Sequence, residues 1–332
     1  MTTLFLKNNK GENRDRKKII VLQHNEGQLG NQLWLFSNLI AYALEKDFDI
    51  DIWCFYQYGK FFKTPFPKNK FIKVFYKTFP TKVFSNKNLF RIARKIHGFF
   101  YKIFVVYPIK IFYKNKIIDS SKVKFILDNE DKKLQIIKDF ETKNNFSTLF
   151  TIDWNFNCFS FLEKHRDDIK EIFKPKDDIL LRIENYFSDI KKKFDNIIGL
   201  HLRYKEAGDG NFDDPNIFCF LQDKDLEEVS KQIKEFIKKK NFDLSKTAIL
   251  IASNNKNLDI NKFRDFNVFF KPRHFIEDLF LLSKCDIIFA CKSSFSSYAS
   301  YIGNKPLIYL YKNVGYFLEN INKINKYSDF LE

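Results

Sequence analysis

The sequence predicts an α/β protein of two domains, and three observations carry that reading. A short apolar run, a glycine turn and an amphipathic helix open the chain as a βαβ unit; five apolar runs spaced by helical segments follow residue 190; and 332 residues exceed what one typical domain holds. In order, residues 18–24 read as a strand, and residues 33–46 as a helix with Leu35, Leu39, Ala43 and Phe36, Ile40, Leu44 on its apolar face. Residues 48–55 alternate as the next strand. Pro65, Pro67, Pro80 and Pro108 break residues 56–118 into short pieces, read as an insertion of irregular helices. Helices are expected at 161–173 and 177–194, with a domain boundary near residue 190, giving domains 1–190 and 191–332. Strands at 196–202, 248–252, 268–270, 286–290 and 306–309 alternate with helices at 225–239, 259–266, 276–283 and 294–302. That alternation reads as a doubly wound, largely parallel sheet.

The composition excludes several classes. With 41 Phe, 15 Tyr, 3 Trp and 45% apolar residues the chain is not disordered, and 10 Gly and 8 Pro exclude collagen-like or linker character. The five cysteines show no CxxC spacing, so neither a disulfide framework nor a zinc site is expected. Apolar runs fall far short of the roughly 20 residues that cross a bilayer. The N-terminal stretch is charged where a signal peptide would be apolar, which gives the expectation of a reducing, cytoplasmic location. Lys and Arg number 57 against 41 Asp and Glu, a net +16. Codons rich in A and T would yield part of that excess, yet residues 52–118 hold no Asp or Glu while Lys, Arg, Phe and Tyr recur. This stretch reads as a cationic, aromatic surface suited to anionic lipid, a phosphorylated acceptor or nucleic acid.

Ligands of open α/β sheets sit beyond the carboxyl ends of strands, and three segments fall there. Gly27-Gln28-Leu29-Gly30-Asn31-Gln32 lets backbone approach a ligand and offers amide groups, although an ordinary βα turn has the same look. His201-Leu202-Arg203-Tyr204-Lys205-Glu206 closes a strand with His201 and Arg203 on one face; Arg203 suits a bidentate phosphate contact, and a solvated ion pair is the plainer alternative. Lys292-Ser293-Ser294-Phe295-Ser296 opens a helix after a strand, as an anion site or a simple N-cap would. His24, beside the glycine turn, could line a ligand cleft or equally be a packed or solvated histidine; His97, His165 and His274 share no ligand spacing, and Lys271-Pro272-Arg273-His274 reads by default as a basic loop.

Taken in order, these segments resemble the GDP-fucose-dependent fucosyltransferase superfamily, nearest to the alpha-1,2 enzymes of glycosyltransferase family eleven. Gly27 to Gln32 is similar to the family's G-x-L-G-N-Q, His201-Leu202-Arg203 to its H-x-R, and Asp278-Leu279-Phe280-Leu281-Leu282-Ser283 with Ser293-Ser294-Phe295-Ser296 to its D-x-x-x-(L/M)-S and S-S-F-S segments. Residues 56–190 carry no part of the resemblance. It implies a GT-B architecture, two Rossmann-like domains facing across a cleft, with the donor held by the second. By the same resemblance Arg203 binds the GDP diphosphate beside His201, Asp278 reads the guanine edge, Ser294 with Ser293 and Ser296 holds phosphate, and Gly30 and Asn31 approach the donor; Lys271-Pro272-Arg273-His274 would border the guanine pocket, with a plain basic loop as the default.

The reaction implied is inverting, metal-independent transfer of fucose from GDP-fucose to a glycan hydroxyl, in surface polysaccharide or lipopolysaccharide, with no resident cofactor. Glu206 is expected as general base, with Asp209 second. The sequence departs from the family at Glu206, where Asp is usual; at Tyr204, where a second Arg is frequent; at Ser253-Asn254-Asn255, where Ser-Asp-Asp is common; and at Ser297-Tyr298, where paired Trp occurs. These departures imply a changed acceptor pocket. Two other readings stand beside this one, a transferase for a different nucleotide sugar and a non-catalytic basic protein that binds membrane or nucleic acid. On the leading reading no nucleic acid is expected as partner, and residues 56–118 would dock the enzyme peripherally on the inner membrane face.

Overall fold

The computed structural model describes residues 16–22, 28–55, 58–64, 95–96, 98–115, 119, 121–126, 133–152, 159–206 and 213–320. The chain divides into two units, residues 1–174 and 175–332. In the first, β1 (Lys18–Val21) leads to α1 (Leu29–Glu45) and β2 (Asp49–Ile52). The chain continues through α2 (Tyr107–Lys114), β3 (Val123–Ile126), α3 (Lys133–Thr142), β4 (Thr148–Thr151), α4 (Phe159–Lys164) and α5 (Arg166–Ile172). The four strands form one parallel sheet in the order β2-β1-β4-β3. Helix α1 is buried almost all round, as expected for a helix whose sequence is apolar on nearly every face. Its Asn38 is accommodated because Nδ2 donates to the Trp34 carbonyl at 2.9 Å.

The βαβ opening is found as expected. Strands β3 and β4 and helix α3 lie where no element was assigned, and the helix expected at 161–173 is two. The break falls at His165, whose Nε2 lies 2.9 Å from Glu45 and whose Nδ1 lies 3.3 Å from Asp168. Of the expected insertion, residues 56–57, 65–94, 97 and 116–118 lie outside the described residues; the rest includes a helical segment at 98–114.

The second unit holds α6 (Asp177–Lys191), β5 (Asn196–Leu202), α7 (Leu226–Lys239), β6 (Thr247–Ser253), β7 (Asn267–Phe269), α8 (Phe275–Leu282), β8 (Ile287–Ala290), α9 (Ser294–Gly303), β9 (Leu307–Tyr309) and α10 (Val314–Asn320). Its five strands are parallel in the order β7-β6-β5-β8-β9, the doubly wound sheet that the spacing predicts. The helix expected at 259–266 is a single 3-10 turn, Ile260–Phe263, capped by Asp259. The boundary lies between Lys174 and Pro175, not near 190. Helix α6 belongs to the second unit because Ile179, Ile183 and Ile190 are buried there and Glu184, Arg182 and Lys191 pair with Lys284, Glu277 and Asp286.

One face of the second sheet packs Leu200, Leu202, Ile249, Ile251 and Phe289 against Val229, Ile233 and Phe236 of α7. Gln232, fully buried in that core, uses its amide as a backbone would: Nε2 donates to the Tyr311 carbonyl, and Oε1 accepts from Tyr311 N–H. On the other face α8 and α9 approach so closely that a Cβ on Gly303 would lie 2.1 Å from the Ser283 carbonyl oxygen. Backbone cannot yield there as a flexible side chain would. Gly303→Ala should therefore cost about 2–3 kcal/mol, an overpacking penalty, read as a fall of several degrees in the thermal unfolding midpoint.

Candidate functional site

The strand order fixes where a ligand can sit. Connections from β5 lead toward β6 and β7, those from β8 toward β9, so the chain diverges at the carboxyl ends of β5 and β8 and leaves a crevice there. His201 on β5 is in register with Ala290 on β8, and the Cys291 amide donates to the His201 carbonyl at 3.3 Å. The turn that opens α9 is thereby placed beside the end of β5, and the His201 ring lies 5.1 Å from that of Phe295.

His201 is 8% exposed, and its Nδ1 has no hydrogen-bond partner. Burial first, and the Arg203 charge second, push its pKa down to about 3, so the imidazole is neutral at physiological pH. Arg203 supplies the positive charge. Its guanidinium lies 4.8 Å over the Phe220 ring, which the Lys205 ammonium also faces at 5.9 Å. The Arg203 carbonyl accepts from Leu221 N–H at 2.8 Å. In the next residue Tyr204 exchanges two 2.8 Å bonds with the Asn254 side chain, its N–H to Oδ1 and its carbonyl from Nδ2. The strand end that carries Arg203 is thus braced on both sides.

In the serine turn, Ser293 is the N-cap and accepts from Phe295 N–H at 3.2 Å. Ser296 Oγ donates toward the Cys291 and Ser293 carbonyls. These two hydroxyls close the turn, so its offer to an anion comes from the first-turn amides of a ten-residue helix, where Ser294 stands. Ser297 and Tyr298 are fully buried in α9. They are core residues, not the pocket lining that the family comparison implied.

Asp278 lies in the first turn of α8, and its Oδ1 accepts from Arg273 Nε at 2.8 Å. Arg273 Nη2 donates to the Ile251 carbonyl at 2.7 Å, one residue before Ala252, the register partner of His201. The pair is thus tied to β6 beside the His201 end of the sheet. Burial raises the Asp278 pKa to about 6, with Arg273 opposing the rise. Arg273 Nη1 is buried without a partner, and the guanidinium faces the Tyr186 ring at 5.0 Å.

The second unit thus brings His201, Arg203, Ser293, Ser294 and Ser296 to one crevice, with Asp278 anchored to the neighbouring strand. Gly30 and Asn31 lie in the first turn of α1, in the first unit. Glu206 is half-buried just past Arg203, and Asp209 lies outside the described residues, as do Gly27, His24 and His97. Phe220 and Tyr186 are additions that the sequence did not single out as site residues, whereas Arg273 and Phe295, noted only within longer segments, prove to contact Asp278 and His201. The basic Lys271-Pro272-Arg273-His274 loop was the available signal, and His274 proves to cap α8 by accepting from Ile276 N–H. Among the described residues no group of three or more His, Cys, Asp or Glu is arranged to hold a metal ion.

Because its folded pKa is raised, Asp278 favours folding most below its ordinary value near 3.8 and loses that contribution as pH rises through about 6. Arg273→Met would leave its carboxylate buried without a partner. Urea unfolding should show a loss of about 3 kcal/mol at pH 8, the scale of a broken buried pair, shrinking as pH falls toward 6, because without Arg273 the carboxyl takes up its proton above that pH.

No model of a known protein family matches the sequence, and no curated protein matches it by sequence. Solved structures do match. A mutant FUT1 of Arabidopsis thaliana in complex with GDP is 14% identical, with a TM-score of 0.51 over 90% of this chain and 71% of that one. The NodZ alpha-1,6-fucosyltransferase soaked with GDP-fucose is 16% identical, with a TM-score of 0.48 over 88% of this chain and 94% of that one; a structure of fucosyltransferase NodZ is from Bradyrhizobium. POFUT1 in complex with GDP-fucose is 11% identical, with a TM-score of 0.47 over 89% and 96%. The likeness to FUT1 establishes the fold: this chain has the GT-B type of architecture, two α/β units each built on a parallel sheet.

Proposed function

We propose that the chain is a glycosyltransferase that binds GDP-fucose in its second unit and transfers the fucose, with inversion, to a hydroxyl of a glycan acceptor. The observation that supports this best is the meeting of His201, Arg203 and the serine turn at the switch point between β5 and β8. Arg203 and the first-turn amides of α9 would hold the diphosphate, and Asp278, kept in place by Arg273, would accept from N1–H and N2–H of guanine. The acceptor oxygen attacks the anomeric carbon as the bond to the β-phosphate oxygen breaks. Positive charge grows on the sugar ring, negative charge passes to the leaving GDP, and Arg203 stabilises it there. The role often given to a divalent metal then falls to Arg203 and the helix end. Glu206 takes the acceptor proton, with Asp209 the alternative base. The linkage is read as alpha-1,2 and the acceptor as a surface polysaccharide or lipopolysaccharide, made in the cytoplasm.

A thermal-shift panel with GDP, UDP, ADP and CMP tests the donor. GDP alone should stabilise the protein, by about 2.7 kcal/mol at a hundredfold excess over its dissociation constant, and Arg203→Ala should abolish the shift. A shift with UDP instead would assign a different nucleotide sugar, and no shift with any nucleotide would overturn the donor site.

Turnover tests the base. Glu206→Gln should lower kcat about a hundredfold while the GDP shift stays as in the wild type. A loss of less than about tenfold would remove Glu206 from that role.

A further inference from the structure

We propose that the exposed face of the helical segment at 98–114 docks the protein on a bilayer with anionic headgroups, lying in the plane of the interface. The proposal is independent of the donor chemistry. Among the described residues, more than half of the exposed large apolar side chains fall between Ile96 and Phe112. Tyr101, Val105 and Val106 are buried, while Phe100, Phe104, Tyr107 and Ile111 recur at three-to-four spacing on the opposite side, flanked by Phe99 and Phe112. Phe99 and Phe104 are 61% and 59% exposed, values at which a core-forming phenylalanine is not found.

Local chemistry builds this stripe. Pro108 has no N–H, and in the turn before it Tyr107 N–H donates to the carbonyl of Lys102, five residues back, so residues 102–106 form a π turn. The Phe100 and Phe104 rings stack across it, 6.0 Å apart at 16°.

Charge selects the occupant. Residues 52–118 contain no Asp or Glu, and Lys102, Lys110 and Lys114 stand on the same helical segment, the first two half-buried. Such side chains lay their methylenes on apolar surface and hold the ammonium at the level of headgroup phosphates. Aromatic and aliphatic groups on one face with lysines beside them are the pattern of an interfacial helix. No helix of the described residues is long and apolar enough to span a membrane, so contact would be from one side only. A second copy of the chain would bring the same cationic segment against itself and is disfavoured by repulsion.

The test uses the full chain in flotation with vesicles of phosphatidylcholine alone and with added phosphatidylglycerol. The wild type should float with the anionic vesicles only. The pair Phe104→Ser and Ile111→Ser leaves the charge unchanged and should weaken binding at least about tenfold, with the unfolding midpoint retained because both side chains are exposed. Separately, measured as the difference from the wild type with its three tryptophans, the added indole of Phe104→Trp should shift to the blue on anionic vesicles and be quenched by lipids brominated in their acyl chains. Three results would each overturn the proposal: unchanged binding by the Ser pair, which would mean attraction by charge alone; an unquenched indole; or a wild-type dimer that becomes monomeric in the Ser pair without any vesicle binding. The GDP shift is read in the same preparations without lipid, so failure of docking and failure of the donor site are distinguishable.

Discussion

The second unit depends on how closely its helices can approach β5. That strand is buried along nearly its whole length, and Gly199 at its centre is the one position without a side chain on the face that meets α8. A Cβ there would stand 3.0 Å from Leu282 Cδ2 and 3.1 Å from Cys285 Sγ. The absence of that carbon lets α8 settle on the sheet, and Gly303 does the same for α9 against the end of α8. These two contacts set the heights of the helices whose first turns carry Asp278 and Ser294. The candidate site is therefore positioned by backbone packing, which is stiff, and long side chains have only to reach the last few ångströms.

Burial then sorts the charges. His201 is desolvated until only the neutral ring is stable, and Asp278 is driven toward the acid form and retained as a carboxylate near neutrality by Arg273. Neither contributes an uncompensated charge to the sheet end. Arg203 lies over Phe220, whose aromatic face supports a cation. The crevice is thus biased toward an anionic group at one point, while the hydrogen-bonding groups around it stay polar and neutral. For a donor whose leaving group gains negative charge, that distribution is the useful one.

Much of the second unit was legible in the sequence because its strands β5 and β6 are seven residues each and almost wholly buried, and its shorter strands are bounded by clear helical periods. The first unit was half legible. Its β3 and β4 are four residues each, VKFI and TLFT, too short for alternation to stand out from a lysine- and phenylalanine-rich background. The boundary was misplaced because α6 ends in a run of lysines that resembles a linker, whereas its buried isoleucines commit it to the unit that follows. At the candidate site, His201 and Arg203 could be read from strand period alone. The Arg273–Asp278 pair could not, since the bond joins residues five apart across a loop-to-helix turn, a spacing that no regular period produces.

The departures from the family pattern at Tyr204 and Asn254 turn out to be a single local structure. Side-chain Oδ1 of Asn254 accepts from the Tyr204 amide while Nδ2 donates to the Tyr204 carbonyl. An ionised Asp at 254 could make only the first of these bonds, because a carboxylate has no proton to give. Tyr204 in turn sends its hydroxyl to Asp223 at 3.0 Å, and burial with that contact holds the phenol protonated. A second Arg at 204 would place another cation beside Arg203, whereas Tyr ties the same backbone to the sheet and to the segment that enters α7. The two substitutions compensate each other: the pattern loses one charge on each side and gains a two-way clasp directly behind Arg203. They therefore bear on how firmly the strand end that carries Arg203 is held.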